Sequence, residues 1–405
     1  MNTRIIQDTT APFLHFAKNG YYTVNDKIFN HNIYAFQEAT KTNSEVKWHF
    51  NEDVFSNLDW QTPPTLSLLE SYRLRAQQLR QQYDYLILCW SGGADSTTIL
   101  ESFLNNNIHL DEVVILWSTK QTDGKYVPNS STETTNFLSE WDLTIKPLIQ
   151  LYKTNHPKLN ITILDHLSDS YKNTVEYADD TVRIAKHNYI TVKKYRALDN
   201  HMKKKFELHS KVGAIVGMAP VDTAIFNDKY FVAYFTDSSL TGATKSDYTL
   251  DGFVRNIEFF YSTPDLPELI KTQAHAMFRH CQNHPETRNL WGHLKLVSTT
   301  NLQYIKCDGE LHRQLRKKIL YPNWNNELFQ VKKEGGSLID VPWNRWWINN
   351  PHALPFLDPW KSAVESEIRL VDKRFCVYDG AGLFNYQSFY SKYYYIGELY
   401  EDNTF

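Results

Sequence analysis

The strongest chemical signal in this chain is a run of six residues, Ser91-Gly92-Gly93-Ala94-Asp95-Ser96. Two adjacent glycines let a backbone turn tightly and approach an oxyanion without Cβ clashes. Ser91 and Ser96 add hydroxyl donors. A helix starting here would offer phosphate its unpaired N–H groups and the positive end of its dipole. Asp95 is acidic where an anion would sit, which leaves it two roles: a helix cap, or the partner of a Mg2+ ion that accompanies phosphate. An ordinary strand–turn–helix with Asp95 as N-cap is the plainer alternative.

A second segment, Gly213-Ala214-Ile215-Val216-Gly217, reads as a buried strand ending in glycine, with Asp222 five residues further on. Gly217 allows close approach and Asp222 offers a metal ligand; a strand-end turn with a surface aspartate accounts for the same letters. Other constellations are weaker. His280 and His284 share a helical face, with His275 nearby, a spacing that can bind zinc. No Glu follows His280, and Pro285 ends the helix, so a surface or core-packed pair is the simpler reading. Residues 183–211 hold Arg183, Lys186, Lys193, Lys194, Arg196, Lys203, Lys204, Lys205 and Lys211 against Asp199 and Glu207, with Tyr189, Tyr195 and Phe206 interleaved. Such a stretch tracks a nucleic-acid backbone, tRNA included, or forms a solvated helical face beside the loop. In the basic run His312–Lys318, Leu311, Leu315 and Ile319 make an amphipathic stripe.

The elements that must position the six residues are legible. Tyr85–Trp90 is a continuous apolar run, as expected of a strand covered on both faces. Ile99, Leu100, Phe103 and Leu104 give the following helix its apolar stripe. Val113–Trp117, Ile161–Leu164 and Gly213–Gly217 read as three further strands separated by helical stretches. That alternation predicts an α/β fold with a doubly wound, mostly parallel sheet. Upstream, Ser67 and Glu70 fit a capping box on a helix striped by Leu69, Tyr72, Ala76, Leu79 and Tyr83. Arg73, Arg75 and Arg80 read as its solvated face. Tyr21–Val24 and Lys27–Phe29 form a hairpin about Asn25-Asp26. Downstream, a strand over Phe253–Tyr261 and a helix over Glu268–Cys281 precede an aromatic, irregular tail. The expected division is an N-terminal α+β extension (1–80), a nucleotide-binding α/β domain (81–250) and an aromatic-rich, mainly helical or irregular C-terminal domain (251–405).

Composition sets the bounds. The chain has 405 residues, 42% of them hydrophobic and 22% charged, the balance of a soluble globular protein. Only 15 glycines occur, where average usage gives roughly 28, so Gly92, Gly93, Gly213 and Gly217 stand out. A net charge of −3 excludes a globally polybasic binder. The 11 Trp, 25 Tyr and 22 Phe suit a core or a homo-oligomer interface, with base stacking as the functional alternative. Four cysteines without a C-x-x-C pair argue against a disulfide scaffold and for a reducing cytosol. No apolar run is long enough for a signal peptide or a membrane span, so a cytoplasmic protein without a membrane partner is expected.

A strand followed by S-G-G-x-D-S resembles the PP-loop of the ATP pyrophosphatase (adenine nucleotide alpha-hydrolase-like) superfamily. The group includes asparagine, GMP and NAD synthetases, tRNA thiolation and lysidine enzymes and 7-cyano-7-deazaguanine synthase; related loops occur in phosphoadenosine-phosphosulfate reductases. The resemblance covers residues 81–250, and the flanks are similar in texture to uncharacterised phage-encoded members, which would place the protein in a host cytoplasm. It implies a PP-loop fold that cleaves ATP to AMP and pyrophosphate with Mg2+, adenylating a carboxylate or carbonyl-type acceptor for amidation or nucleobase and tRNA modification. Ser91, Gly92, Gly93, Asp95 and Ser96 would clamp the pyrophosphate, with Asp95 and Ser96 catalytic. Adenine would lie near Trp117 and Ser118. The strand ending at Gly217 with Asp222 after it is similar to the asparagine-synthetase-like branch, where these positions lie near pyrophosphate and metal. Arg183, Lys186, Lys245 and Arg255 are candidate cationic helpers.

Absences weigh on the branches. The four-cysteine zinc site of the deazaguanine branch has no C-x-x-C-like pairs here, and two-cysteine thiolation would need a pair such as Cys281 and Cys307 to meet. The reductases' Glu-Cys-Gly tail motif is missing, so a reductase-like protein would lack its tail cysteine. Asn2 follows Met1, so the cysteine of glutamine-dependent asparagine synthetases is missing too. The alternative from another class is a non-catalytic nucleotide- or nucleic-acid-binding protein on the same fold.

Overall fold

The computed structural model describes residues 20–29, 32–117, 145–165, 189–217, 220–237, 256–298, 301–305, 309–324, 376–378, 384–386 and 389–399. Its centre is strand β4 (Tyr85–Cys89), where Leu86, Ile87 and Leu88 in succession have no exposed surface. Successive side chains of a strand point to opposite faces, so three buried in a row require cover on both. The other strands of this sheet are β5 (Glu112–Trp117), β6 (Ile161–Asp165), β7 (Val212–Val216) and β10 (Ile257–Phe259), all parallel, in the order β10-β7-β4-β5-β6. The chain thus winds from β4 through β5 to β6, then returns to the other side of β4 for β7 and β10. That is the strand order of a doubly wound α/β sheet.

Helices follow from the reversal. Right-handed crossovers in opposite directions put their helices on opposite faces. The helices after β4 and β5, α4 (Ala94–Leu104) and α5 (Lys146–Asn155), meet through Tyr152, whose hydroxyl reaches Glu101 at 3.5 Å and whose ring meets Trp90 edge-on. The helix leading back to β7, α6 (Tyr189–Phe206), buries Leu198 and Met202. Pro147 stands in the first turn of α5, where its missing N–H would have had no intrahelical partner; residues 118–144, between β5 and this helix, lie outside the described residues. Upstream of the sheet, α3 (Leu68–Gln82) starts with the expected capping box: Glu70 N–H donates to Ser67 Oγ at 3.3 Å, and Ser67 N–H to Glu70 Oε2 at 2.9 Å. Its arginines do not form a solvated face. Arg75 is entirely buried, pairing at 2.9 Å with the equally buried Glu258 of β10 and donating to the Phe259 carbonyl at 3.1 Å.

A second five-stranded sheet begins five residues after β7. Its strands are β8 (Asp222–Phe226), β9 (Tyr230–Tyr234), β11 (Gly292–Ser298), β12 (Asn301–Ile305) and β15 (Tyr394–Glu398), in the order β12-β11-β8-β9-β15, with only β11 and β8 parallel. Helix α7 (Pro267–Asn283), buried along most of its length, lies between this sheet and α3: Ser71 faces Thr272 at 3.4 Å, and Phe278 packs on Phe231. Both large sheets draw strands from each side of residue 250. A small sheet, β2 (Lys27–Phe29), β1 (Tyr21–Val24) and β3 (Lys47–His49), adjoins the second, Tyr22 donating to Asp237 Oδ2 at 2.8 Å. Asn25 and Asp26 have φ of 46° and 65°, as a tight hairpin turn requires. Short helices α1 (Asn32–Thr42) and α2 (Glu52–Phe55) follow it in the chain, and α8 (Gly309–Leu320) packs on α7. β13 (Cys376–Tyr378) and β14 (Phe384–Tyr386) pair with each other as a separate two-stranded antiparallel sheet. Among the described residues no helix is long and apolar enough to cross a membrane.

Candidate functional site

The six-residue run joins β4 to α4, as its composition requires. Gly92 has φ +71°, a conformation that L side chains rarely adopt. Gly93, not Asp95, is the N-cap, and it has no side chain with which to cap the helix. Asp95 therefore stands in the first turn and does not cap it. Ser96 is buried and braces the loop: its Oγ accepts from Ser91 N–H at 3.2 Å, lies 3.3 Å from Ser91 Oγ and donates to the Gly93 carbonyl at 3.3 Å. Ser91 is exposed.

The end of β7 meets the same helix start. A Cβ built on Gly217 would lie 3.0 Å from Ser96 N and 3.3 Å from Asp95 Cβ. Adjacent β4 and β7 are the strands between which the winding reverses, and doubly wound sheets take ligands in the crevice outside the carboxyl ends at that point. Gly213 does not share the site. It lies at the other end of β7 against the Tyr83 ring. Trp117 closes β5 at the same edge as the loop; Ser118, Arg183, Lys186, Lys245 and Arg255 lie outside the described residues.

Four side chains that sequence reasoning did not place at the site complete the surroundings. Tyr261, just beyond β10, donates its hydroxyl to the Asp95 carbonyl at 2.7 Å. Tyr321, just after α8, donates to Asp95 Oδ1, while Oδ2 accepts no hydrogen bond among the described residues. Burial, with the Asp95 charge adding to it, raises the Tyr321 phenol well above its ordinary pKa, so it stays a donor. Tyr72 of α3 donates to the Leu320 carbonyl at 2.8 Å and fixes this end of α8. Arg316 of α8 pairs with Asp222 Oδ1 at 2.9 Å and donates to the carbonyls of Pro220 at 2.7 Å and Val221 at 3.1 Å. Asp222 Oδ2 accepts from Thr236 at 3.1 Å. Burial opposes the charge of Arg316, but Asp222, Tyr321 and Asp95 more than offset it and raise its pKa. In sequence, Arg316 was one more charge of the 312–318 run, and nothing marked Tyr261 or Tyr321.

Among known proteins, no family model matches the chain, and no curated protein is significantly similar to it.

The remaining candidates are dispersed. The C-terminal end of α6, within the basic stretch 183–211, sits at the opposite edge of the sheet from the loop. There Glu112, at the start of β5, accepts from His201 at 2.9 Å and Tyr85 at 3.0 Å, pairs with Lys205 at 3.2 Å and takes a short bond from Thr162. Lys205 also lies over the Tyr85 ring, so this lysine is held within the fold. The His280 and His284 rings lie 4.4 Å apart, tilted by 30°, and His275 is turned away to the Trp60 carbonyl at 2.8 Å. Among the described residues no three His, Cys, Asp or Glu side chains group as a metal site. Burial pushes the thiols of Cys89 and Cys281 up to about 12. Neither is a ready nucleophile.

Proposed function

We propose that this protein is an ATP-binding enzyme that cleaves ATP to AMP and pyrophosphate and adenylates a carboxylate or carbonyl-type acceptor, for amidation or for modification of a nucleobase. The observation that carries this reading is the convergence of the Ser91–Ser96 loop and Gly217 on one helix start at the reversal point of the sheet. Uncapped N–H groups at the start of α4 would receive the pyrophosphate oxygens. Adenine would extend toward the end of β5, at Trp117 and Ser118. The protein's task is to hold the α-phosphorus in line with the acceptor and to offset the charge that builds on the departing pyrophosphate.

Asp95 fits the demand of a divalent cation for oxygen ligands, since its Oδ2 is uncommitted among the described residues. Mg2+ held there would neutralise phosphate charge. Asp222 has both oxygens engaged and serves as the counter-ion of Arg316.

Incubation of purified protein with ATP, Mg2+ and a pool of metabolites or tRNA tests the reading through AMP and pyrophosphate release. Asp95→Asn should lower Mg-ATP affinity at least tenfold. Unchanged affinity refutes the loop assignment. ATP binding without AMP from any acceptor would leave a nucleotide-binding protein.

A further inference from the structure

Arg316 is a cation with more donors than partners. A guanidinium carries five N–H groups. Three are engaged, by Asp222 Oδ1 and by the carbonyls of Pro220 and Val221. Its Nε is buried and has no acceptor among the described residues. A buried donor without an acceptor calls for an explanation, and an anionic oxygen supplied by a ligand is one. The position fits. The carbonyls that anchor the guanidinium belong to the segment leading from Gly217 to β8, and Gly217 touches the start of α4. Asp95 lies close enough to raise the pKa of Arg316, and Tyr321, on the same stretch of chain, reaches the Asp95 carboxylate. The side chain is 16% exposed, so it is not sealed from a ligand. His312, one turn earlier on α8, also has a buried ring nitrogen, Nε2, without a partner among the described residues. Burial and then the Arg316 charge bring His312 down to about 4, so at neutral pH the imidazole adds no second charge.

We propose that Arg316 is a phosphate-binding residue of the site, supplied by α8 to the β- and γ-phosphates of a nucleoside triphosphate and to free pyrophosphate, with Asp222 holding it in place until they arrive. The proposal rests on the nucleotide reading above. A guanidinium matches the fork of phosphate oxygens and stays charged when partly buried. Asp222 neutralises it in the free protein, so that the anion site does not stand open as an unpaired buried charge.

The test uses the full-length protein and three ligands, measured by calorimetry with Mg2+ present: ATP, inorganic pyrophosphate and AMP. Arg316→Gln should weaken ATP and pyrophosphate at least tenfold and leave AMP within twofold. A merely structural role for Arg316 would weaken all three together. Asp222→Asn keeps an oxygen on Arg316 and removes the competing charge, so it should bind pyrophosphate more tightly, by about threefold or more. That gain cannot come from damage to the fold, so it decides the matter if Arg316→Gln proves unfolded. Unchanged pyrophosphate affinity in a folded Arg316→Gln protein overturns the proposal, as does unchanged or weaker affinity in Asp222→Asn. If the wild-type protein binds none of the three ligands, the nucleotide reading itself fails, a result distinct from wild-type binding that ignores Arg316.

Discussion

Replacing Gly217 by alanine tests the site at its tightest point. The added methyl would sit 3.0 Å from the backbone nitrogen of Ser96 and 3.3 Å from Asp95 Cβ and Ser96 Cα. These are backbone and near-backbone atoms at the start of a packed helix, and none can swing aside as the end of a long side chain would. Relief requires β7 and α4 to part by a few tenths of an ångström. Overpacking of this kind costs about 1–3 kcal/mol. The same displacement shifts the N–H groups proposed to hold phosphate, so the binding loss should exceed the loss in stability. A loss of about 1.4 kcal/mol in binding is a tenfold rise in Kd. Gly213→Ala is the control. Its methyl would meet the Tyr83 ring at 2.7 Å, at the far end of the same strand, and Tyr83 is pinned by a hydrogen bond to Glu258 at 2.5 Å. It should destabilise at least as much as Gly217→Ala and leave ATP affinity within about twofold. The assay is denaturant unfolding in parallel with ATP titration. Wild-type stability and affinity in Gly217→Ala would refute the crowding, and equal loss of affinity in both variants would refute the local origin of the effect.

Tyr321→Phe removes the phenol from Asp95 Oδ1 and should tighten Mg-ATP binding by about two- to fivefold, read by titration across Mg2+ concentrations. Arg75→Met leaves Glu258 buried without its cation and should cost about 3–5 kcal/mol in denaturant unfolding. For Glu112, burial works against the charge, but bonds from His201 and Thr162 more than offset it and pull its pKa from 4.5 to about 2. A carboxylate lowered by folding stabilises above its unfolded pKa, and that contribution is lost as pH falls through the folded value. Glu112→Gln should therefore flatten the loss of stability between roughly pH 4.5 and 2, by on the order of 2 kcal/mol after allowance for solvent screening, measured by unfolding at each pH.

The loop was legible in the sequence because everything that shapes it is local. An apolar run, two glycines and a helix stripe lie within twenty residues, and the chain has so few glycines that an adjacent pair stands out. Gly217 was legible as a strand end for the same reason. What completes the site was not. Tyr261 and Tyr321 reach Asp95 across 166 and 226 residues, and Arg75 meets Glu258 across 183. No spacing encodes a contact of that range, so Arg75 read as one more exposed helix charge. The hairpin of β8 and β9 did carry a signal, Asn227-Asp228 between two apolar runs, and both residues have positive φ, 49° and 56°. The reading of a mainly helical or irregular region after 250 likewise lacked the pairing that turns Gly292–Ser298 and Tyr394–Glu398 into strands of one sheet. Those strands meet partners made far earlier in the chain.

The place of β10 bears on how this protein comes off the ribosome. β7 is buried at all five positions, yet one of its two neighbours, β10, is synthesised only about forty residues later. Until Ile257–Phe259 emerges, β7 is a bare, apolar edge with free backbone donors and acceptors, the feature that templates aggregation. Parallel pairing across such a gap is slow to form. A fragment cut at 250, where composition invites a boundary, would keep that edge permanently. Expression of the parallel sheet and its Ser91–Ser96 loop without the rest of the chain therefore has to run through β10 and on to Tyr321, whose hydroxyl bonds Asp95.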